Sequence, residues 1–194
     1  IAGVAPYRST IEAVFMINYN EPTADPRFVD LVAMIKEHSL PPATLTNGTG
    51  LTPKRVDRLI ELGGLRFLSI NLSTLDRDRY REDRGQDHLE VVLRNVDYAA
   101  ARNVAQQMDI VVLGTGDEKH QADFERIQER YAGSRFSVKH FVVNDRAGYL
   151  QIGLAAPKTP KRLAGCEYVG SRPLQHLPVT PQGKAVLCCQ DYNE

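Results

Sequence analysis

The sequence predicts an α/β protein built on a parallel sheet. Apolar, β-rich runs recur along the chain at 13–19, 43–46, 67–72, 108–113 and 136–143. Amphipathic helical stripes separate them, and the step from run to run is roughly 25–40 residues, which suits right-handed βαβ units. Five strands with four intervening helices are expected, and no longer internal repeat is present.

Each helix is marked by its period and by its ends. Phe28, Leu31, Val32 and Ile35 recur at i, i+3, i+4, i+7, and so do Leu89, Val92, Leu93 and Val96. Val56, Leu59 and Ile60 form a shorter stripe, and Phe124, Ile127 and Tyr131 another. Asp25-Pro26 and Thr52-Pro53 each set a capping oxygen before a proline suited to a first helical position. Asp117 is the expected cap of the last helix, and Gly63-Gly64 the expected stop of the second. His38 falls at a helix carboxyl end, where the dipole suits it. His88, His120, His140 and His176 lack metal-ligand spacing and are expected at the surface or in turns. From Tyr149 the pattern changes. "GLAAPKTPKRLAGC" has no period and two prolines, as a linker does, and its basic "PKTPKR" suits a solvated loop or a guide for an acidic peptide. "LQHLPVTPQGKAVLCC" then suggests two short strands around a Thr-Pro-Gln-Gly turn.

Composition narrows the function classes. The 194 residues suffice for one domain with a real core and a small appendage. Lys+Arg and Asp+Glu balance at 24 each, so no global field recruits nucleic acid or an acidic membrane, and neither is an expected partner. No run reaches the ~18–20 apolar residues of a membrane span, and nothing resembles a signal peptide. Three cysteines, Cys166, Cys188 and Cys189, fall in the last thirty residues, which fits a disulfide scaffold poorly and a local task better. A reducing, cytoplasmic location is expected.

In a parallel α/β sheet, ligands bind beyond the carboxyl ends of the strands. Asn18, Asn20 and Glu21 follow the first run, and Thr46, Asn47 and Gly48 the second. Asn71, Ser73 and Thr74 close the third, and Asn144, Asp145 and Arg146 follow the fifth. Four of five strands thus deliver polar groups to one rim, which suggests a site for a polar, charged small molecule. For single residues a plainer role stays open: "TNGTG" is also ordinary turn chemistry, and Glu21 before Pro22 is also an exposed turn carboxylate. Asn71 stands in "LSINLSTLD" among residues that ought to be buried, where an amide needs a partner.

"NYNEPTADPRFVDLVAMIKEH", "TNGTGLTPKRVDRLIELGGLRFLSINLSTLDRDRYREDRG" and "HLEVVLRNV", in this order, resemble the core of a radical S-adenosylmethionine enzyme over residues 15–148. The resemblance implies a partial (β/α)6 TIM-like barrel of which strands two to six are visible, followed by a small β-hairpin extension. Tyr19-Asn20-Glu21 stands where the family has Gly-Gly-Glu, implying that Asn20 and Glu21 bind the methionine ammonium. Both glycines are replaced, so either the ligand sits slightly differently or Asn20 contributes its side chain. Asn71 matches a position touching ribose or carboxylate, with Ser73 and Thr46 on the same rim. Arg84 matches an arginine that pairs with the methionine carboxylate, and Val142 and Asn144 are the implied adenine contacts.

The family's C-x3-C-x2-C loop, whose thiolates hold the catalytic 4Fe–4S cluster, has no counterpart in this sequence. It is expected upstream of Ile1. Cys166, a gap of 16 residues (Glu167 to Gln182), then Gly183-x4-Cys188 resemble the opening of a SPASM extension, an auxiliary iron–sulfur domain. Cys166 and Cys188 are its implied ligands, with Cys189 the alternative, while buried free thiols remain the plain reading. The implied division is 1–148 for the barrel, 149–165 for the linker and 166–194 for the start of the extension. The implied activity is an oxidoreductase that generates a 5′-deoxyadenosyl radical and abstracts hydrogen from a peptide or sugar-derived small molecule. A flavodoxin or ferredoxin would supply the electron. Two alternatives stand beside it: a non-catalytic binding module on a degenerate scaffold, and an ordinary barrel hydrolase or aldolase. The last lacks a histidine partner for Ser69, Ser73 or Thr46.

Overall fold

A computed structural model describes residues 1–17, 20–143, 175–180 and 182–186. Five parallel strands follow one another across a single sheet in the order β1 (Val14–Phe15), β2 (Pro42–Thr46), β3 (Leu65–Asn71), β4 (Ala105–Gly114) and β5 (Phe136–Val142). When successive parallel strands advance in one direction, right-handed crossovers put every connecting helix on the same face. The result is a barrel-like arc. The helices are α1 (Phe28–Glu37), α2 (Pro53–Glu61), α3 (Arg77–Arg84), α4 (Leu89–Ala100) and α5 (Glu118–Arg130). No helix among the described residues is long and apolar enough to cross a membrane.

The alternation of the strands decides which side chains meet those helices. Leu68, Ile70 and Leu72 of β3 and its turn pack with Ile110 and Val112 of β4 against Val32, Val56, Leu59, Val92, Val96 and Ile127. All of these are fully buried, each contributing about 1.5–3 kcal/mol of transfer free energy. Residues of the other parity, among them Ser69, Asn71, Val111 and Leu113, lie on the face away from the helices and stay half-exposed.

Several boundaries differ from the expectation. Pro26 does not open α1. Asp25 makes a tight turn instead, accepting from the Arg27 backbone N–H at 2.8 Å and from its guanidinium at 3.0 and 2.7 Å. The helix therefore starts at Phe28, behind a 3-10 turn over Pro22–Ala24. The same Arg27 contact holds the Asp25 carboxyl down at about 2. Helix α3 is additional to the four expected, because Tyr80 is its one buried residue and no apolar period announces it. Its ends do: Asp76 accepts from the Arg79 N–H, and Gly85 closes it at φ 68°. The first strand shrinks to two residues within the expected 13–19. His120 is not at the surface but buried. Its Nδ1 accepts from the Gly116 N–H at 3.2 Å, which leaves the ring proton on Nε2 to be donated to the Val112 carbonyl at 3.2 Å.

The chain divides into two compact units, 1–142 and 143–194. In the second, Val179 and Ala185 form an isolated antiparallel bridge, and the Thr180 N–H donates to the Lys184 carbonyl at 2.8 Å. Gly183 has φ 82° within that turn. The three cysteines and Asn144 lie outside the described residues, as do Asn18 and Tyr19.

The 46–50 loop leaves β2 under tight steric terms. Gly48 is left-handed at φ 82°, and a Cβ on Gly50 would stand 2.1 Å from the Thr23 carbonyl oxygen. That neighbour is backbone and cannot swing aside. Gly50→Ala should cost about 1–3 kcal/mol, the range for overpacking, read as a lower urea midpoint; an unchanged midpoint would show that loop and turn do not pack this closely.

Candidate functional site

Glu21 leaves β1 and caps the 3-10 turn Pro22–Ala24, which aims its carboxylate at the end of β2. Oε1 accepts from the Thr23 N–H at 3.0 Å, the Thr23 hydroxyl at 2.6 Å and the Thr46 hydroxyl at 2.5 Å. Oε2 accepts from the Asn47 N–H at 2.7 Å. Each threonine has one hydroxyl proton, and both protons go to the carboxylate. The 3.0 Å separation of the two hydroxyls is therefore a contact between oxygens already committed. The Thr46 hydroxyl still accepts from the Gly48 N–H at 3.1 Å.

Four donors from two strand ends thus fix one carboxylate, and a further layer fixes the donors. Arg55 of α2 donates to the carbonyls of Thr23, Gly50 (2.9 Å) and Asp25 (3.3 Å), tying turn to loop. Asn47 Oδ1 accepts from the Thr49 N–H at 2.9 Å and the Thr49 hydroxyl at 2.6 Å. Asn95 of α4, fully buried, donates to the carbonyls of Gly48 at 3.0 Å and Thr49 at 3.1 Å. The turn chemistry of "TNGTG" is real, and it serves to present the Asn47 N–H to Glu21.

A second group forms at the end of β3. Asn71 Oδ1 accepts from Arg84 Nη2 at 2.8 Å and from the Ser73 hydroxyl at 3.1 Å. Ser73 Oγ in turn accepts from the Leu113 N–H at 3.2 Å, linking the loop to β4. The partner that Asn71 required in sequence is thus an arginine 13 positions on, carried by the unannounced α3. Helix α3 is itself anchored: Asp123 of α5, 2% exposed, accepts from the Thr74 hydroxyl at 3.0 Å and from the Arg79 guanidinium. That hydrogen bond raises the Arg79 pKa further, while burial raises that of the Tyr80 phenol.

The sequence-predicted residues therefore fall into two clusters, Glu21 with Thr46 and Asn71 with Ser73 and Arg84, both at carboxyl ends of strands. Asn20 is exposed directly before Glu21, its amide 3.4 Å from the Met16 carbonyl. Val142 ends β5 at 57% exposure, with its Cγ2 beside Gly116. Among the described residues no three His, Cys, Asp or Glu side chains are grouped to hold a metal ion. Thr23, Arg55, Asn95 and Asp123 were missed from sequence. Asn95 and Asp123 had a usable signal, a polar side chain inside an apolar helical stripe.

Thr46→Val keeps the shape but removes a donor to Glu21 and the acceptor of the Gly48 N–H. A loss of about 1–3 kcal/mol is expected in chemical denaturation, and a neutral result would mean that this network contributes nothing to folding.

The radical SAM superfamily model matches residues 8–133. No curated protein matches the chain. Among solved structures it is similar to TYW1 with a lysine-pyruvate adduct bound, at 20% identity and TM-score 0.50, covering 66% of this chain and 41% of that one. It also resembles archaeal TYW1 (18%, TM-score 0.46, 62% and 39%) and Streptococcus suis SuiB bound to its precursor peptide SuiA (16%, TM-score 0.48, 72% and 30%). The chain spans about two fifths or less of these structures. With the family model covering well over half of its length, the chain belongs to the radical SAM superfamily.

Proposed function

We propose that this chain is the S-adenosylmethionine-binding core of a radical oxidoreductase acting on a peptide or a sugar-derived small molecule. In this proposal residues 1–148 form the barrel portion, 149–165 a linker and 166–194 the start of a SPASM-type auxiliary iron–sulfur extension. The supporting observation is the Glu21 carboxylate, held rigidly at the rim by Thr23, Thr46 and Asn47, with a second polar cluster at the end of β3.

When bound beside a reduced 4Fe–4S cluster, S-adenosylmethionine supplies a hydrogen-abstracting radical. The chain's own residues bind and orient it. Glu21 Oε2 accepts from the Asn47 N–H, and a carboxylate oxygen has room for a second donor. That capacity suits the methionine ammonium, and a charge-assisted bond gains strength in a half-desolvated cleft. Asn20 contributes where the family has glycine. Arg84 offers its planar fork to the methionine carboxylate, while Asn71 and Ser73 orient that fork or meet the ribose. Val142 and Asn144 contact the adenine. The three cysteines lack the C-x3-C-x2-C spacing, so no step through the catalytic cluster is assigned to them. Cys166 and Cys188, with Cys189 as neighbour or alternative, hold the auxiliary cluster, and a flavodoxin or ferredoxin is the electron donor.

Glu21→Gln should weaken S-adenosylmethionine binding by about 1–3 kcal/mol, the worth of a charged hydrogen-bond partner. Calorimetry giving equal affinity for both proteins removes Glu21 from the site. Wild-type protein that binds no S-adenosylmethionine would favour a degenerate binding scaffold. Cys188→Ala should lower iron per chain after anaerobic reconstitution, and equal iron content with equal charge-transfer absorbance rules Cys188 out as a ligand.

A further inference from the structure

The sheet face away from the helices carries a polar constellation that the cofactor contacts leave unused. Asp109 of β4 stands in register with Ser69 of β3 and Ser137 of β5. Its Oδ2 accepts from Lys139 Nζ at 2.7 Å and from Gln107 Nε2 at 3.1 Å. Its Oδ1 is buried and has no hydrogen-bond partner, and the residue is 8% exposed. The Lys139 side chain, by contrast, is 40% exposed. An ammonium has three donors and Asp109 takes one, so two remain on an accessible group whose position is fixed from below. A carboxylate oxygen that is buried and unpaired is costly and seldom left so.

Asn71 is level with Val111 in the sheet, and Asp109 lies two residues nearer the amino ends, roughly 7 Å deeper at the usual rise per residue. The constellation therefore sits beneath the rim where Asn71 and Arg84 meet. Phe67, Leu45 and Val111, all half-buried, share this face with it. A molecule held here presents its upper end to the rim.

We propose that Lys139, positioned by Asp109 and Gln107, anchors the substrate through a neutral hydrogen-bonding group, an amide or a hydroxyl. This rests on the radical-enzyme function proposed above for what lies at the rim. The charges of Lys139 and Asp109 balance, so a carboxylate or an amine would leave a net charge in a half-buried place. An amide or hydroxyl brings no charge. It accepts from one of the two Nζ donors that Asp109 leaves over.

The test uses the whole chain with two probes, a capped dipeptide amide and myo-inositol, by saturation-transfer NMR. S-adenosylmethionine affinity is measured in parallel. Lys139→Met should weaken the bound probe at least about tenfold, as expected for losing a charged donor. Lys139→Arg should recover most of the binding, and neither change should move the S-adenosylmethionine affinity. Capture of the amide assigns a peptide substrate, and capture of the polyol a sugar-derived one. The anchor is overturned if neither probe binds wild-type protein, or if Lys139→Met binds it equally well. Lys139-dependent probe binding in a protein that ignores S-adenosylmethionine would sustain the anchor and sink the cofactor assignment instead.

Discussion

A carboxylate at the mouth of a sheet must find donors, and in this fold Glu21 finds them in the next strand's loop. That single exchange joins pieces that little else holds. Strand β1 pairs with β2 over only Val14↔Pro42 and Phe15↔Ala43, so the edge gains little from its ladder. The Glu21–Thr23–Thr46–Asn47 knot, backed by Arg55 and by the close seat of Gly50 under Thr23, fixes the edge instead. Because the donors are backbone amides and threonine hydroxyls with little freedom left, the carboxylate cannot wander. Its position is set before anything binds, with little side-chain freedom left to lose.

The same logic recurs one strand along. Arg84 is exposed, and an exposed arginine is ordinarily a loose one. Here it sits on a short helix that buries one tyrosine, so packing alone would hold α3 poorly. Asp123 supplies the missing restraint from α5 by gripping both Thr74 and Arg79. This half-buried ion pair need not add net stability to matter. It sets where α3 lies, and so where the guanidinium meets Asn71.

These two knots also separate the labours of the sheet's faces. The helix side is apolar and closely packed, which is where the folding free energy resides. The opposite face carries Asn71, Ser69 and Lys139 in half-exposed positions and Asp109 buried, groups that cost stability unless each is paired. An arc of parallel strands brings such residues to one end and one face without regard to their distance in sequence.

Sequence alone determined whatever depends on a period or on a local cap. The α/β class, the five strand cores and four of the helices were legible because burial on one face imprints a repeat of two or 3.6 residues on the chain, and the polar groups at the ends of β1 to β3 because they stand directly after such runs. Glu21, Thr46, Asn71, Ser73 and Arg84 could be named, but not their partners. Thr46 lies 25 residues from Glu21, Asp123 lies 44 from Arg79, and Lys139 lies 30 from Asp109, and no short pattern encodes such meetings. Helix α3 escaped notice because it buries almost nothing, and His120 because a buried imidazole with both nitrogens engaged looks, in sequence, like any surface histidine. Tertiary structure alone decided these, since the free energy of a buried polar group is set by whichever distant donor or acceptor the fold brings to it.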